Sequence, residues 1–532
     1  MSVRRSFPTT AIVILLLAIL VLQMTFSIRQ HAPETDIDHL LAGYRYWQCG
    51  DFGVNPEHPP FLKLVAALPV LSMNAHKELP PCASYATGTG EDFSHARRWF
   101  YANDAEALLF WARMSAGLFL VAMAIVVYLA ARSMFGTGTA VFALALTVFE
   151  PNLLGLGPYV MTDMALTCCL FATVYALYCY TRQPIPARLL LCGLLMGFTL
   201  AAKHSGILIG PILLALVLAQ LLMDWRVQRE LPGEHSRILP RMVLRWTGRL
   251  AAIFVISVIV LWAFYGFRFA ARPNNTPMTI SLDHYIQAGQ EFRGEKSFTV
   301  VHVIPALSHW KLLPESYLYG LANVLMLVEQ GKPARILGKT YPVGQWFYFP
   351  VTFLKGATLG FLALLALGAT NLPFWRQHWR KGILLALPAV IFMAVAMRSQ
   401  LNLGLRHILP IFPFLIVIAA AGAWALGERF RTAKYAIVIL VAAHLVASVG
   451  SYPNYRDYTN EAFGGPVGNY FRLAGRNAGP DVVQVREYLA REHVDSCWMA
   501  ERWTIDFDYY RIPCRTLPAI NTHSRRILDV VP

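Results

Sequence analysis

The chain has 532 residues, of which 56% are hydrophobic and only 14% are charged, and its formal net charge is +15. Soluble domains have about a quarter charged residues, so this composition excludes an ordinary soluble protein and places most of the chain in lipid. The positive charge does not indicate nucleic acid as a partner, because Lys and Arg cluster in short loops between apolar segments and form no basic stripe with interleaved aromatic residues.

Eleven apolar segments recur along the chain, each long enough or nearly long enough to cross a membrane as a helix. The first covers residues 10–26 and follows Arg4 and Arg5. No small-residue cleavage pattern comes after it, so we expect an uncleaved first membrane helix and not a signal peptide. The other ten cover residues 105–131, 139–157, 163–180, 188–202, 206–223, 247–267, 346–370, 383–397, 407–426 and 435–451.

Alternate loops between these segments contain clusters of Lys and Arg, which the positive-inside rule assigns to the cytoplasm. The N-terminus is then inside and, after an odd number of spans, the C-terminus is outside. Three large segments fall on the outer face: residues 29–104, residues 268–345 and the tail from residue 452. We therefore expect a transmembrane domain, residues 1–451, and a small extracytoplasmic region, residues 452–532, in a plasma (bacterial inner) membrane.

Four of the eight cysteines fall on the face assigned to the outside. Cys49 and Cys82 share the first large segment, and Cys497 and Cys514 share the tail. Each pair can form a disulfide where the compartment is oxidising. The tail also shows a helical spacing of apolar residues over 481–493. No CxxC pair or Cys/His cluster in the sequence indicates a structural zinc site.

The segment just beyond the first predicted helix concentrates acids, histidines and a lysine. A carboxylate at the end of a membrane helix can act on a substrate held at the lipid surface, whereas a lone Asp in a solvated loop would indicate nothing. Pro59, Pro60 and the flanking apolar residues favour a loop folded onto the membrane. The candidate residues are Asp36, Asp38, His39, Tyr44, Glu57, His58 and Lys63.

A second acid, Asp163, begins the fourth predicted span on the same face. It can be a simple helix N-cap, and we give that role and a functional role equal weight, since acids in membrane spans also mark functional sites. Basic candidates on this face are Lys203, His204, Arg406 and His407 at span ends, with Arg268 and Lys355 as further cations. Singly such cations are snorkelling anchors, but two acids with converging cations suit an anionic phosphate substrate.

Seven short segments, in order over nearly the whole chain, carry a resemblance to a known family. They are Asp36–Tyr44, Gly50–Lys63, Thr162–Leu166, Pro314–Leu321, Gly344–Pro350, Leu401–Pro410 and Tyr452–Pro466. Together they resemble the polyprenyl-phosphate-dependent glycosyltransferases of the GT-C fold, the relatives of protein O-mannosyltransferases and lipid A aminoarabinose transferases. Thr35 stands where relatives usually have the first acid of an Asp-Glu pair, so the resemblance leaves Asp36 or Asp38 as the key acid.

The resemblance implies an all-α polytopic membrane protein, a GT-C-type bundle with extracytoplasmic loops and a small α+β tail. It also implies transfer of a monosaccharide from a polyprenyl-phosphate carrier to an extracytoplasmic protein, lipid or glycan, with inversion. The departing phosphate requires cations, for which we nominate Lys203 and Arg406. The acceptor hydroxyl requires a base, for which we nominate Asp36, with Asp163 in support. The remaining candidates are expected to bind substrate.

This scheme requires no cofactor, although neighbouring Asp, Glu and His residues are compatible with a divalent metal. The main alternative is a transporter or flippase of polyprenyl-linked intermediates, which would use the same cations without a base. Transporters often place charges at mid-membrane and show inverted repeats, whereas here the acids lie at span ends and no repeat is detected. A catalytically inactive scaffold relative is the second alternative.

Overall fold

Helices make up most of the computed structural model, which describes residues 6–29, 33, 35–83, 91–229, 238–293, 299–465, 482–499 and 505–516. The helices in chain order are α1 (Ser6–Ser27), α2 (Asp36–Cys49), α3 (Phe61–Ala67), α4 (Glu91–Ala102), α5 (Ala105–Phe135), α6 (Thr137–Val148), α7 (Pro151–Leu156), α8 (Thr162–Arg182), α9 (Pro186–Ala202), α10 (Ile209–Arg229), α11 (Ile238–Phe264), α12 (Leu282–Arg293), α13 (Ile304–His309), α14 (Glu315–Gln330), α15 (Tyr348–Gly356), α16 (Leu359–Ala369), α17 (Leu372–Gln377), α18 (Trp379–Arg398), α19 (Phe412–Arg429), α20 (Arg431–Gly450) and α21 (Val482–Arg491).

Two short sheets complete the described structure. Strands β1 (Ala334–Ile336) and β2 (Lys339–Tyr341) pair antiparallel, and β3 (Cys497–Met499) and β4 (Cys514–Thr516) pair parallel. The fold class predicted from the sequence is therefore confirmed: the chain is an all-α polytopic membrane protein with small sheet elements.

Among the described residues, eight helices are long and apolar enough to cross a membrane, or nine if the pair α15 and α16 is one bent span. Each of the eleven predicted segments coincides with helix, but α6 and α9 are shorter than a full span. The axes of α15 and α16 differ by 110°, so the predicted span 346–370 is broken. The break occurs because Thr358 restarts the helix by accepting a hydrogen bond from the Phe361 N–H.

The predicted span 139–157 is also interrupted, since α6 ends at Val148. The side chain of Glu150 accepts a hydrogen bond from the Asn152 N–H, and Pro151 occupies the first turn of α7. An acidic N-cap followed by proline is a strong helix start, which explains why one apolar stretch contains two helices.

The centre of the membrane domain is formed by α8 and α19, whose apolar windows are 78% and 83% buried, whereas those of α1 and α20 are only 11% buried and lie at the periphery. Helix α9 approaches α11 closely because Gly193 and Gly197 face Ile256 and Val260 with no room for a Cβ atom. Small residues at such crossings let membrane helices pack by direct backbone contact. This packing fixes the end of α9, from which Lys203 projects.

The tail packs on the first large segment. Both predicted disulfides, Cys49–Cys82 and Cys497–Cys514, are present. Helix α21 falls within the predicted range 481–493. The Tyr509 ring lies 5.1 Å from the Tyr101 ring, and Arg97 forms a 3.6 Å ion pair with Asp506.

Candidate active site

A buried ion pair joins Asp163, at the start of α8, to Lys203, which follows the end of α9. Lys203 follows α9, and its Nζ lies 2.5 Å from Oδ1 of Asp163 in the first turn of α8. The two side chains are 12% and 7% exposed. Asp163 is not the N-cap of α8, because that position is Met161, so the capping role considered from the sequence is wrong. The carboxylate is instead held by a cation and by the positive end of the helix dipole.

A second cation reaches the same place from the start of α19. Gly404 adopts φ +97, a conformation that glycine tolerates, and it opens the 3-10 turn that contains Arg406. Arg406 Nη1 lies 3.6 Å from the Met161 sulfur, and its buried Nε has no hydrogen-bond partner within the described structure. Asp163 interacts electrostatically with Lys203, Arg406 and His407. The positive charge around Asp163 therefore exceeds the negative charge.

Three histidines line the other side of this site. The His39 and His58 rings lie 5.6 Å apart, and His58 is within electrostatic range of Lys203 and His204. His39 Nδ1 donates to the Val160 carbonyl at 2.6 Å, which fixes its tautomer. Burial, followed by the charge of Lys63, lowers the pKa of His39 to about 4, and burial also lowers the pKa of His58. Both imidazoles are therefore neutral at pH 7.

The third of these histidines, His204, is almost completely buried at 3% exposed. Neither ring nitrogen has a hydrogen-bond partner within the described residues, and the ring lies 4.7 Å from that of Tyr317. A buried polar group without a partner is costly, and such groups commonly mark functional sites or places that receive water or ligand.

The ammonium group of Lys63, predicted to bind substrate, is surrounded by acceptors from the protein itself. Its Nζ donates to the carbonyls of Asn55 and His58 at 2.5 and 2.8 Å and to the Tyr46 hydroxyl at 3.2 Å. These acceptors use all three ammonium donors. The side chain is fully buried. Lys63 therefore holds the turn that carries Glu57 and His58 and offers no donor to a phosphate in this conformation.

Asp36, the predicted base, is locked in a buried salt bridge. Arg113 Nε donates to Oδ1 at 3.2 Å, Arg113 Nη2 donates to Oδ2 at 3.0 Å, and the Val160 N–H donates to Oδ1 at 3.0 Å. Both side chains are 0% exposed. A carboxylate bound on both oxygens by a guanidinium is a weak base, so this geometry suits a positioning role and disagrees with the predicted catalytic one.

The other predicted residues pack within the surrounding structure. Tyr44 is buried in the core against Trp99, with ring centroids 5.5 Å apart. Asp38 is buried in the first turn of α2, and Glu57 is partly buried beside His58. Arg268 donates to the Gly50 and Ala270 carbonyls and holds the start of the second large segment. The backbone carbonyl of Lys355 accepts from the Asn460 N–H at 3.0 Å.

Sequence reasoning missed Arg113, Tyr159 and Arg456. Two guanidinium groups lie over the Tyr159 ring, with Arg113 Cζ 4.4 Å and Arg456 Cζ 4.6 Å from its centroid. The available signal was Arg113 itself, because an arginine inside a long apolar stretch requires a partner.

Within the described residues no group of three or more His, Cys, Asp or Glu side chains is arranged to hold a metal ion.

Residues 106–232, which include Arg113, Asp163 and Lys203, match the family described as dolichyl-phosphate-mannose-protein mannosyltransferase. No curated protein matches the chain. Solved structures are also similar to the chain, among them the following three. ArnT from Cupriavidus metallidurans in the apo state is 14% identical, with 96% of this chain and 86% of that chain covered and a TM-score of 0.49.

The Pmt1-Pmt2 complex of S. cerevisiae bound to the sugar donor is 15% identical, with 49% of this chain and 33% of that chain covered and a TM-score of 0.35. The apo oligosaccharyltransferase of Archaeoglobus fulgidus is 13% identical, with 93% and 59% covered and a TM-score of 0.43. The chain is a multi-pass membrane protein whose residues 106–232 are similar to the dolichyl-phosphate-mannose-protein mannosyltransferase family.

Proposed function

We propose that the protein is a membrane glycosyltransferase that moves a monosaccharide from a polyprenyl-phosphate carrier to an extracytoplasmic acceptor. The observation that carries the proposal is the buried Asp163–Lys203 pair beside Arg406, inside the stretch that matches the mannosyltransferase family. A carboxylate with excess positive charge around it provides the two functions that the reaction needs, a proton acceptor and a site for an anionic leaving group.

The leaving group is a phosphate monoester, which departs as an anion when the bond between the sugar C1 and the phosphate oxygen breaks. Lys203 and Arg406 are the cations available to stabilise it. Arg406 has a buried Nε without a partner in the described structure, and a phosphate oxygen would satisfy this donor. An arginine can also bind phosphate in a bidentate manner, whereas Lys203 contributes a point charge.

Asp163 is the better base for the acceptor hydroxyl, and Asp36 is the residue that positions the surrounding loop. In the resting state Asp163 is paired with Lys203. An arriving donor phosphate competes for the Lys203 ammonium and thereby frees the carboxylate. The carboxylate then takes the hydroxyl proton while the acceptor oxygen forms its bond to C1, on the face opposite the departing phosphate. Attack from that face inverts the anomeric centre.

The predicted loop charges and the two disulfides support the proposed membrane sidedness. Cys49–Cys82 and Cys497–Cys514 lie in segments that the positive-inside rule places outside, where disulfides persist. Asp36 begins α2 in the first of these segments, and its partner Val160 immediately precedes α8. We therefore place the site on the extracytoplasmic face of a plasma membrane.

The test is sugar transfer by the purified full chain in lipid nanodiscs. The donor is polyprenyl-phosphate mannose with a radiolabelled sugar, and the acceptor is an envelope fraction from cells that lack the protein. Asp163→Asn is expected to lower the transfer rate by about a hundred- to ten-thousandfold while donor binding persists. Asp38→Asn, a nearby buried acid in α2, is the matched variant and is expected to stay active.

If Asp38→Asn abolishes transfer and Asp163→Asn stays fully active, the catalytic base is in the first large segment and is not Asp163. If the wild-type protein carries the labelled lipid across sealed vesicles and transfers no sugar to any acceptor, it is a transporter and the proposal is wrong.

A further inference from the structure

A polar cavity lies at the end of α8 that is opposite to the candidate active site. It has a volume of about 460 Å³ and is lined by the end of α8, the middle of α10, the first third of α11 and the turn between α17 and α18. Asp163 begins α8 and Arg182 ends it, so at 1.5 Å per residue the two sites are about 28 Å apart. That distance is close to the thickness of the hydrocarbon core.

Cations dominate the lining of this cavity. Arg182, Arg380 and Lys381 all face it, together with His378. Asp224 neutralises only one of them, since it pairs with Arg380 at 3.1 Å and accepts from the Gln220 amide at 2.8 Å. Lys381 and Arg182 repel one another electrostatically, and neither forms an ion pair within the described residues. Two like charges sharing one cavity favour occupation by an anion.

Ordinary snorkelling explains this arrangement poorly. Snorkelling cations at the ends of membrane helices extend into water. Lys381 instead is half-buried, because its Nζ donates to the Met134 carbonyl at 2.6 Å and lies 5.2 Å from the centre of the Phe135 ring. The residue is therefore held in place by α5 before any ligand arrives, and the cavity is preformed.

Aromatic residues give the cavity the character of a membrane interface. Trp246 and Trp379 line it, and Arg249 stacks on Trp246 with its Cζ 4.9 Å from the ring centroid. Tryptophan is enriched at the level of lipid headgroups, where an apolar body meets a polar end. A ligand with one phosphate and an apolar remainder fits these two parts of the lining, while a small free anion would use only the cations.

We propose that this cavity binds the phosphate of an anionic lipid headgroup from the leaflet on the face predicted to be cytoplasmic. Basic pockets between membrane helices on that face are suited to such headgroups, because cations near the surface attract them. Arg182 and Lys381 bind the phosphate oxygens, and Trp246 and Trp379 contact the glycerol and the upper acyl chain. The proposal does not depend on the sugar-transfer reaction.

The test is lipid retention by the full chain during detergent purification, measured by native mass spectrometry after reconstitution with phosphatidylglycerol or phosphatidylcholine. The wild-type protein is expected to retain phosphatidylglycerol selectively. The double variant Arg182→Gln/Lys381→Gln is expected to retain it about tenfold less well or worse. Arg431→Gln removes an exposed cation at the start of another span that does not line the cavity, and it should behave as wild type.

A conservative variant distinguishes loss of the binding site from misfolding of the protein. Lys381→Arg keeps the charge and should keep the lipid. Equal retention of both lipids by the wild-type protein, or equal loss in Arg431→Gln, would overturn the proposal. A separate titration with inorganic phosphate distinguishes the source of the anion: if phosphate alone displaces phosphatidylglycerol at low millimolar concentration, the cavity is a site for a soluble anion and the lipid assignment is wrong.

Discussion

Arg113, in the third turn of the apolar helix α5, binds both carboxylate oxygens of Asp36, which begins the helix after the first membrane span. Neither side chain is exposed. Arg113 also donates to the Ile28 carbonyl at 2.9 Å, so one guanidinium joins the end of α1, the start of α2 and α5. The pair therefore fixes the first large segment to the membrane domain.

Asp36→Asn is expected to destabilise the protein by about 3–5 kcal/mol, because it leaves the Arg113 charge buried without a counter-ion. The measurement is the thermal unfolding midpoint in detergent. Asp36→Asn combined with Arg113→Gln should be less destabilised than Asp36→Asn alone, since the uncompensated charge is gone. An Asp36→Asn protein with a normal unfolding midpoint but no transferase activity would restore Asp36 as the base.

The sequence was sufficient to predict the helical segments and the residues at their ends. Asp163, Lys203 and Arg406 were found because a charged residue at the end of an apolar segment stands out, and the structure brings these three together. Arg113 was not found, because its partner Asp36 lies 77 residues away and no local pattern links them.

The role of Lys63 was also beyond sequence reasoning. A lysine in an acidic loop suggests a site for an anion, but whether its ammonium group can bind a ligand depends on the protein acceptors that surround it. Here three acceptors from Tyr46, Asn55 and His58 surround its ammonium group. The breaks at Val148 and Gly356 were missed for a related reason, since hydropathy does not distinguish a continuous helix from two helices that meet at a cap.

Arg406→Ala is expected to weaken binding of the polyprenyl-phosphate donor by about tenfold to a hundredfold, the usual effect of losing a hydrogen bond between charged groups. This variant leaves the Asp163–Lys203 pair intact, whereas Lys203→Ala removes both a cation for the phosphate and the partner of Asp163. Lys203→Arg should retain more affinity than Lys203→Ala because the charge is kept. The measurement is donor binding by isothermal titration, and Lys332→Ala, an exposed cation of the second large segment, is the control.

Normal donor binding in both Arg406→Ala and Lys203→Ala would place the phosphate elsewhere. Among the other predicted cations, Lys63 and Arg268 already donate to protein acceptors.

Lys63→Met is expected to reduce stability by a few kcal/mol and not to act specifically on the donor. Methionine has a similar length but no donors, so the carbonyls of Asn55 and His58 lose the partner that holds the turn. Limited proteolysis in the first large segment should become faster, and the unfolding midpoint should fall. Lys77→Met, an exposed lysine of the same segment, is the control. A stable Lys63→Met protein with weakened donor affinity would return Lys63 to the phosphate site.

Both cysteine pairs are expected to resist labelling by a membrane-impermeant maleimide until a reductant is added. The two disulfides lie in the first large segment and in the tail, which contact one another through Tyr101 and Tyr509, so all four cysteines should become reactive from the same side of the membrane. The experiment uses intact spheroplasts and inverted vesicles. Labelling in inverted vesicles alone would place both segments inside and reverse the predicted orientation.

We expect acid to destabilise the protein over the pH range in which His39 is neutral in the folded protein and charged in the unfolded chain. Burial lowers the pKa of His39 to about 4, while an unfolded histidine has a pKa of about 6.5. Above pH 6.5 both states are neutral and the residue has no effect on stability. As the pH falls from 6.5 to 4, the unfolded chain takes up a proton that the folded chain does not, so the free energy of unfolding decreases by up to roughly 3 kcal/mol.

His39→Gln tests this effect, because glutamine can still donate to the Val160 carbonyl but does not titrate. The unfolding midpoint of this variant should fall less between pH 6.5 and 4 than that of the wild type. His76→Gln, at an exposed histidine of the same segment, should leave the pH dependence unchanged. If His39→Gln follows the wild-type curve, another group is responsible for acid sensitivity, and His58, whose pKa burial also lowers, is the next to replace.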